Sequence, residues 1–174
     1  NLAITGVADG DTVTVTGFTG STLTGAISGT TGKFNITAGT GTSSISTAAG
    51  DDIFTFVAGT GLTSADTVDG GTGTDTVALT SNTAVAATNF NNVKNIEIIT
   101  VANTNTAVAI TTQDTLVAAG ATLTLSNAAN SGILTFNGSA ETNGQFNITG
   151  GTGVDNITGG AGDDTFTFVA GTGL

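Results

Sequence analysis

Thirteen acidic residues, with no histidine and no cysteine, define the chemistry open to this 174-residue chain. Nucleophilic triads and the usual zinc sites need the missing residue types. Several acids recur in one glycine-rich setting. Gly150–Thr158 reads GGTGVDNIT, Gly159–Thr167 follows as GGAGDDTFT, and Gly70–Ala78 reads GGTGTDTVA. Each places Gly at positions one, two and four, Asp at position six and a large apolar residue at position eight. Thr47–Thr55 (TAAGDDIFT) keeps Gly50, Asp52 and Phe54 but lacks the first two glycines. Ala38–Ser46 (AGTGTSSIS) keeps Gly39, Gly41 and Ile45, with Ser43 where the aspartate would stand.

The spacing has a physical meaning. Six residues make a tight turn and three a short strand. Glycine permits left-handed backbone angles and lets carbonyl oxygens face a common centre. The aspartate adds a charged oxygen, and an all-oxygen set of carboxylates and carbonyls suits Ca²⁺. The apolar residue points into a narrow core. The plain alternative is that these aspartates cap turns, which Asp commonly does. Acid–base catalysis by the neighbours Asp163 and Asp164 is disfavoured, because adjacent strand residues face opposite ways. The expectation is a chain that is not an enzyme.

The elements that would position these turns are strands. Segments such as VTVT, TLTL and FTFV alternate with period two. Ten of them, separated by Gly, Asn, Asp and Ser, begin 11 to 23 residues apart: Thr12–Thr16, Phe34–Thr37, Ile53–Val57, Thr76–Thr80, Ile96–Val101, Ala107–Thr111, Thr122–Ser126, Ile133–Phe136, Phe146–Thr149 and Thr165–Val169. This predicts an all-β chain, a parallel β-solenoid or β-roll, with β-sandwich modules joined by short rolls as the alternative. Residues 85–95 admit one short helical turn. Asp9 and Asp11 read as an ordinary hairpin turn, and Asp114, Glu97 and Glu141 as solvated surface charges. Asp51 and Asp163 are expected to face outward. Phe54, Phe56, Phe166 and Phe168 read as core.

The chain also repeats over a longer distance. Phe34–Leu62 and Phe146–Leu174 match at 21 of 29 positions, and Val7–Gly17 resembles Val117–Asn127. The organisation expected is one module over 1–110, with degenerate turns at about 38–78, and a partial second module over 111–174 carrying the tandem nonapeptides at 150–167. The second copy stops where the first continues, so a longer parent is expected. The formal net charge is −11, with Lys33 and Lys94 the only basic residues. Such a chain repels nucleic acid and anionic membrane surfaces and attracts cations. No apolar run reaches the roughly 18 residues of a membrane span.

The tandem nonapeptides resemble the RTX (repeats-in-toxin) calcium-binding β-roll family. The stretches DTVDGGTGTDTVALT and NFNNVKNIEIITVAN are similar, less specifically, to RTX-type bacterial surface-layer proteins and large surface adhesins. The resemblance implies calcium carboxylates at Asp52, Asp75, Asp155 and Asp164. It implies turns shaped by Gly50, Gly70, Gly71, Gly73, Gly150, Gly151, Gly153, Gly159, Gly160 and Gly162. Counting strands, the turns ending at Asp52 and Asp75 stack, with the turn near Asp66 between them on the other side. The best complete site then uses Asp52 and Asp75, with Asp69 as a third candidate. Asp155 and Asp164 fall on opposite sides, as half-sites that a following turn, an irregular upstream turn or another chain would complete. Ser43 leaves the first degenerate turn without its carboxylate.

The function expected is a calcium-dependent structural module of a secreted assembly on the bacterial cell surface. The forms considered are an S-layer, an extracellular filament or a matrix fibre that self-assembles, exported by type I secretion as the resemblance implies. A stalk or glycan-binding module of a large adhesin, facing cell-surface polysaccharide, is the alternative. The chain has no Tyr or Trp to build a sugar platform. Ice binding through exposed threonines is a minor third reading.

Overall fold

The computed structural model describes residues 11–18, 23–26 and 31–169. They contain fifteen strands. The first six are β1 (Thr12–Phe18), β2 (Leu23–Ala26), β3 (Lys33–Ala38), β4 (Ser43–Ser46), β5 (Ile53–Phe56) and β6 (Thr67–Asp69). Next come β7 (Thr76–Leu79), the 3-10 helix η1 (Ala87–Phe90), β8 (Val93–Lys94), β9 (Ile98–Thr100) and β10 (Val108–Thr111). The last five are β11 (Thr122–Ser126), β12 (Leu134–Asn137), β13 (Gln145–Thr149), β14 (Asn156–Thr158) and β15 (Thr165–Thr167). Every pairing between named strands is parallel.

The odd-numbered strands stack in order as one eight-stranded sheet. The even-numbered strands form the opposite wall as two sheets, β2-β4-β6-β8 and β10-β12-β14. The chain is therefore a parallel β-solenoid, and the sandwich alternative is not what forms. The long sheet runs without a break across the 110/111 repeat boundary, where Ile98 pairs with Thr124. Among the described residues no helix is long and apolar enough to cross a membrane.

Period-two alternation builds the core. In β3 and β5 the burial alternates, and Phe34, Ile36, Phe54 and Phe56 are all at most 1 % exposed. Register stacks the inward residues: Ile36 on Phe54, Phe54 on Val77, Val77 on Ile99, Ile99 on Leu125 and Leu125 on Ile148. The facing wall contributes Ile45, Val68 and Val93 in register, then Ile110 and Phe136. Phe136 meets Phe146 edge-on across the core at 5.0 Å. At the last coil Phe166 and Phe168 are over a third exposed.

Coil length varies. Phe34 and Asp52, and Phe146 and Asp164, touch at a separation of 18 residues, two nonapeptides. The contacts between Asp52 and Asp75 and between Asp75 and Glu97 span 23 and 22. The extra residues lie in the turns and, at 81–92, in a segment that includes η1. Phe90 of η1 is fully buried and plugs the core. In that coil Val85 pairs forward with Ile110, while β8 pairs back with β6. This is where the second wall divides.

Alternation in sequence does not mark β2, β6 or β8. They are two to four residues long, too short to display a period. Asp11 leads into β1, whose described partner β3 is parallel, and the hairpin turn expected at Asp9 and Asp11 lies almost wholly outside the described residues. Asp9 lies outside the described residues.

Candidate metal centre

One rule governs six of the acidic residues at the turns. Each carboxylate stands one residue ahead of its strand's first ladder pair and accepts the backbone N–H of the matching residue one coil earlier. Phe34 donates to Asp52 Oδ1 at 2.8 Å, Asp52 to Asp75 Oδ1 at 2.9 Å, and Asp75 to Glu97 Oε2 at 2.8 Å. Further along the same side, Phe146 donates to Asp164 Oδ1 at 2.8 Å. On the opposite side Ser43 donates to Asp66 Oδ1, and Leu134 to Asp155 Oδ1, both at 2.7 Å. The parallel ladder begins one residue later in each case, for instance at Asn35–Ile53 and Asn147–Thr165. A buried N–H at the mouth of the ladder needs an acceptor, and the side chain supplies it.

The glycines follow from the same stacking. A Cβ on Gly70 would sit 2.6 Å from Asp75 Oδ2, and one on Gly150 or Gly159 would collide with Oδ2 of Asp155 or Asp164. Position one must be Gly because the carboxylate five residues later folds back over it. Gly73 has φ +142°, and a Cβ there would strike the Gly50 carbonyl of the coil before. Gly71, Gly151, Gly153, Gly160 and Gly162 also press on carbonyls of the preceding turn, and Gly50 presses on Gly32. Position three ties the turns together: Thr72, Thr152 and Ala161 donate to Ala48, Asn130 and Glu141.

The second carboxylate oxygen separates the sites. Asp66 is complete, because its Oδ2 accepts Thr63 N at 2.7 Å and Thr63 Oγ1 at 2.8 Å. Asp164 Oδ2 accepts Gly160 N. Oδ2 of Asp52, Asp75 and Asp155 is buried with no hydrogen-bond partner, and so is Ser43 Oγ. Asp52 and Asp75 are fully buried and joined directly through the Asp52 amide. Burial raises both carboxyls above the usual carboxylate range. For Asp75 the neighbouring charges of Asp52, Glu97 and Asp51 add to this, and its pKa reaches about 7.

The structure thus brings Asp52 and Asp75 together in consecutive coils. Asp69 goes elsewhere: Lys94 Nζ lies 2.9 Å from its Oδ2, and Asn95 Nδ2 donates to its Oδ1 at 2.7 Å. Asp155 and Asp164 stand on opposite walls, ahead of β14 and β15. Asp51 and Asp163 are exposed, and Asp51 pairs with Lys33 at 2.9 Å. Among the described residues no group of three or more His, Cys, Asp or Glu side chains converges.

The donor set at Asp52 and Asp75 nevertheless fits an oxygen-preferring cation. It offers two buried carboxylates, each with an oxygen lacking a donor, beside turns that are mostly backbone. Carbonyls would have to supply the remaining ligands.

Two surface assignments from sequence are corrected. Glu97 is half-buried and extends the Asp52–Asp75 stack. Glu141 is 1 % exposed and accepts Gly144 N at 2.8 Å. In NIEIIT, alternation alone reads Glu97 as outward, and only its register beneath Asp75 reveals the contact. Comparison with protein-family models, with curated proteins and with solved structures finds no match.

Proposed function

We propose that this chain is a calcium-dependent structural module of a secreted bacterial surface assembly of the RTX type, such as an S-layer or an extracellular filament. The observation carrying this reading is the stack of Asp52, Asp75 and Glu97 in successive coils of one rod. Two buried oxygens of that stack lack any donor. A buried carboxylate oxygen without a partner is costly, and stacked like charges add to the cost. Asp52 and Asp75 would hold the ion, which would supply positive charge beyond the small pull on Asp52 from Lys33, itself paired with Asp51.

Sites of the extracellular type bind at roughly 10⁻⁴–10⁻³ M. The chain would then stay loose where calcium is scarce and stiffen where it is abundant. Stability in stacked coils sums over neighbouring contacts, so one filled turn supports those beside it. The role is mechanical and not catalytic.

Circular dichroism with and without chelator tests the calcium dependence, and electron microscopy in calcium tests assembly. Expected are a β signal that melts at lower temperature on chelation and ordered sheets or filaments when calcium is restored. A β signal whose melting is indifferent to chelation would remove the mechanism. Dispersed particles in calcium would remove the assembly role.

A further inference from the structure

A second pair of acids lies outside every nonapeptide. Asp114 sits in the turn 112–120, between β10 and β11. Glu141 sits in the turn 138–144, between β12 and β13, one coil later. The two turns are stacked. Thr142, the neighbour of Glu141, donates to Asp114 Oδ1 through its N–H at 2.8 Å and its hydroxyl at 2.6 Å. Thr112 N donates to Asn137 O, and Gly120 N to Asn143 O. The two bonds from Thr142 bring Glu141 alongside Asp114, and after them Glu141 adds to holding the Asp114 carboxyl below the usual carboxylate range.

Glu141 is held from several directions. Its Oε1 accepts Asn143 N at 3.1 Å and Gly144 N at 2.8 Å, and its carbonyl accepts Ala161 N from the following coil. Gly160 packs so closely that a Cβ there would lie 2.9 Å from the Glu141 Cβ. The residue is 1 % exposed, yet its Oε2 is buried with no partner. The same pair of turns buries a second oxygen without a partner, Thr112 Oγ1. Two carboxyl groups are both acceptors, so their close approach requires something positive between them.

We infer that the turns 112–120 and 138–144 form a separate binding site for a hard divalent cation of the calcium class, held between Asp114 and Glu141. All the side-chain donors are oxygen, which disfavours soft metals. Asp114 is exposed and gives the ion a path from solvent, while Glu141 supplies the buried anionic oxygen. The inference does not rest on calcium at Asp52 and Asp75.

The test is calorimetric titration of chelator-stripped full chain with calcium, comparing wild type, Glu141→Gln, Asp114→Asn and Asp75→Asn. Expected is the loss of one ion per chain, or at least a tenfold weakening of one site, in both Glu141→Gln and Asp114→Asn. Asp75→Asn should keep that site. If Glu141→Gln does not fold, Asp114→Asn, altered at an exposed position, decides alone. Two outcomes overturn the inference. In the first, both variants take up calcium like wild type, which leaves the Asp52–Asp75 reading standing. In the second, wild type takes up none, in which case the Asp114–Glu141 pair shares a proton instead. Loss of an ion in the Glu141 and Asp114 variants with none lost in Asp75→Asn would sustain this site while removing the other.

Discussion

Two stretches of the solenoid bury polar side chains under stacked turns and satisfy them differently. Around Asn130, only 3 % exposed, everything is neutral and closed. Its Nδ2 donates to Asn127 Oδ1 at 2.8 Å and to Ala102 O at 3.3 Å, and its Oδ1 accepts Asn105 N at 3.0 Å. Around Asp75 the side chains are carboxylates. One oxygen of each caps an amide, and the other makes no hydrogen bond in either Asp52 or Asp75, the Thr47 hydroxyl beside Asp52 donating instead to the Gly70 carbonyl. An amide carries both donor and acceptor and can finish its own network, whereas a carboxylate has only acceptors. The asparagine stretch is self-sufficient, and the aspartate stretch needs a proton or a cation. Either would complete it, so the aspartates make this stretch depend on its surroundings where the asparagines do not.

The sharpest contrast comes from Asp66, an aspartate that behaves like the asparagines because Thr63 completes it. Asp66→Ala should destabilise by about 3 kcal/mol, since it strands the buried amide of Ser43 and the half-buried amide of Thr63. Denaturant titration should give the same loss with or without calcium. A loss that calcium repairs would assign Asp66 to the ion sites.

Next in size is calcium itself. At about 100 times the dissociation constant, each filled site should add roughly 2.7 kcal/mol to the unfolding free energy. The midpoint of thermal unfolding should therefore climb with calcium concentration, and a flat midpoint would break the distinction between the two stretches. Asn130→Ala comes third, at about 2 kcal/mol from its stranded partners, again independent of calcium.

The remaining expected effect is on pH. The Asp75 carboxyl titrates at about 7 in the fold, against an ordinary value near 3.9 for an unfolded chain. Between those values the folded state binds the proton more tightly, so stability falls as pH rises from about 4 to about 7 and changes little beyond. Asp52 is shifted the same way. Asp51 is shifted downward, chiefly by its bond to Lys33, but it is exposed and adds little. In chelator, thermal midpoints should be higher at pH 5 than at pH 8. Saturating calcium should shrink that slope, because the ion holds the carboxylates ionised. The opposite slope in chelator would mean that the stack is solvated.

Much of this was legible in the residues. Six turn residues followed by three strand residues place NIT and TFT where β14 and β15 form. Strand counting placed Asp52 over Asp75, with Asp66 across the rod. The remainder depends on register that spacing does not carry. Coils other than the 18-residue ones insert different numbers of residues, so nothing local shows that Glu97 lies beneath Asp75, or that Glu141 turns inward beside Asp114. Nor does the motif distinguish Asp66, whose completeness depends on Thr63 three residues earlier. The short helical turn expected in VAATNFNNVKN forms at Ala87–Phe90, but nothing local shows that Phe90 plugs the core or that the second wall divides there.

The most direct measurement of the central claim is the calcium dependence of unfolding in Asp75→Asn beside wild type, by denaturant titration. The amide keeps an oxygen for the Asp52 N–H while removing the charge. The account predicts that calcium stabilises wild type substantially and the variant far less, with the metal-free variant at least as stable as metal-free wild type. Equal calcium responses in the two chains, or a metal-free variant clearly weaker than its parent, would contradict it.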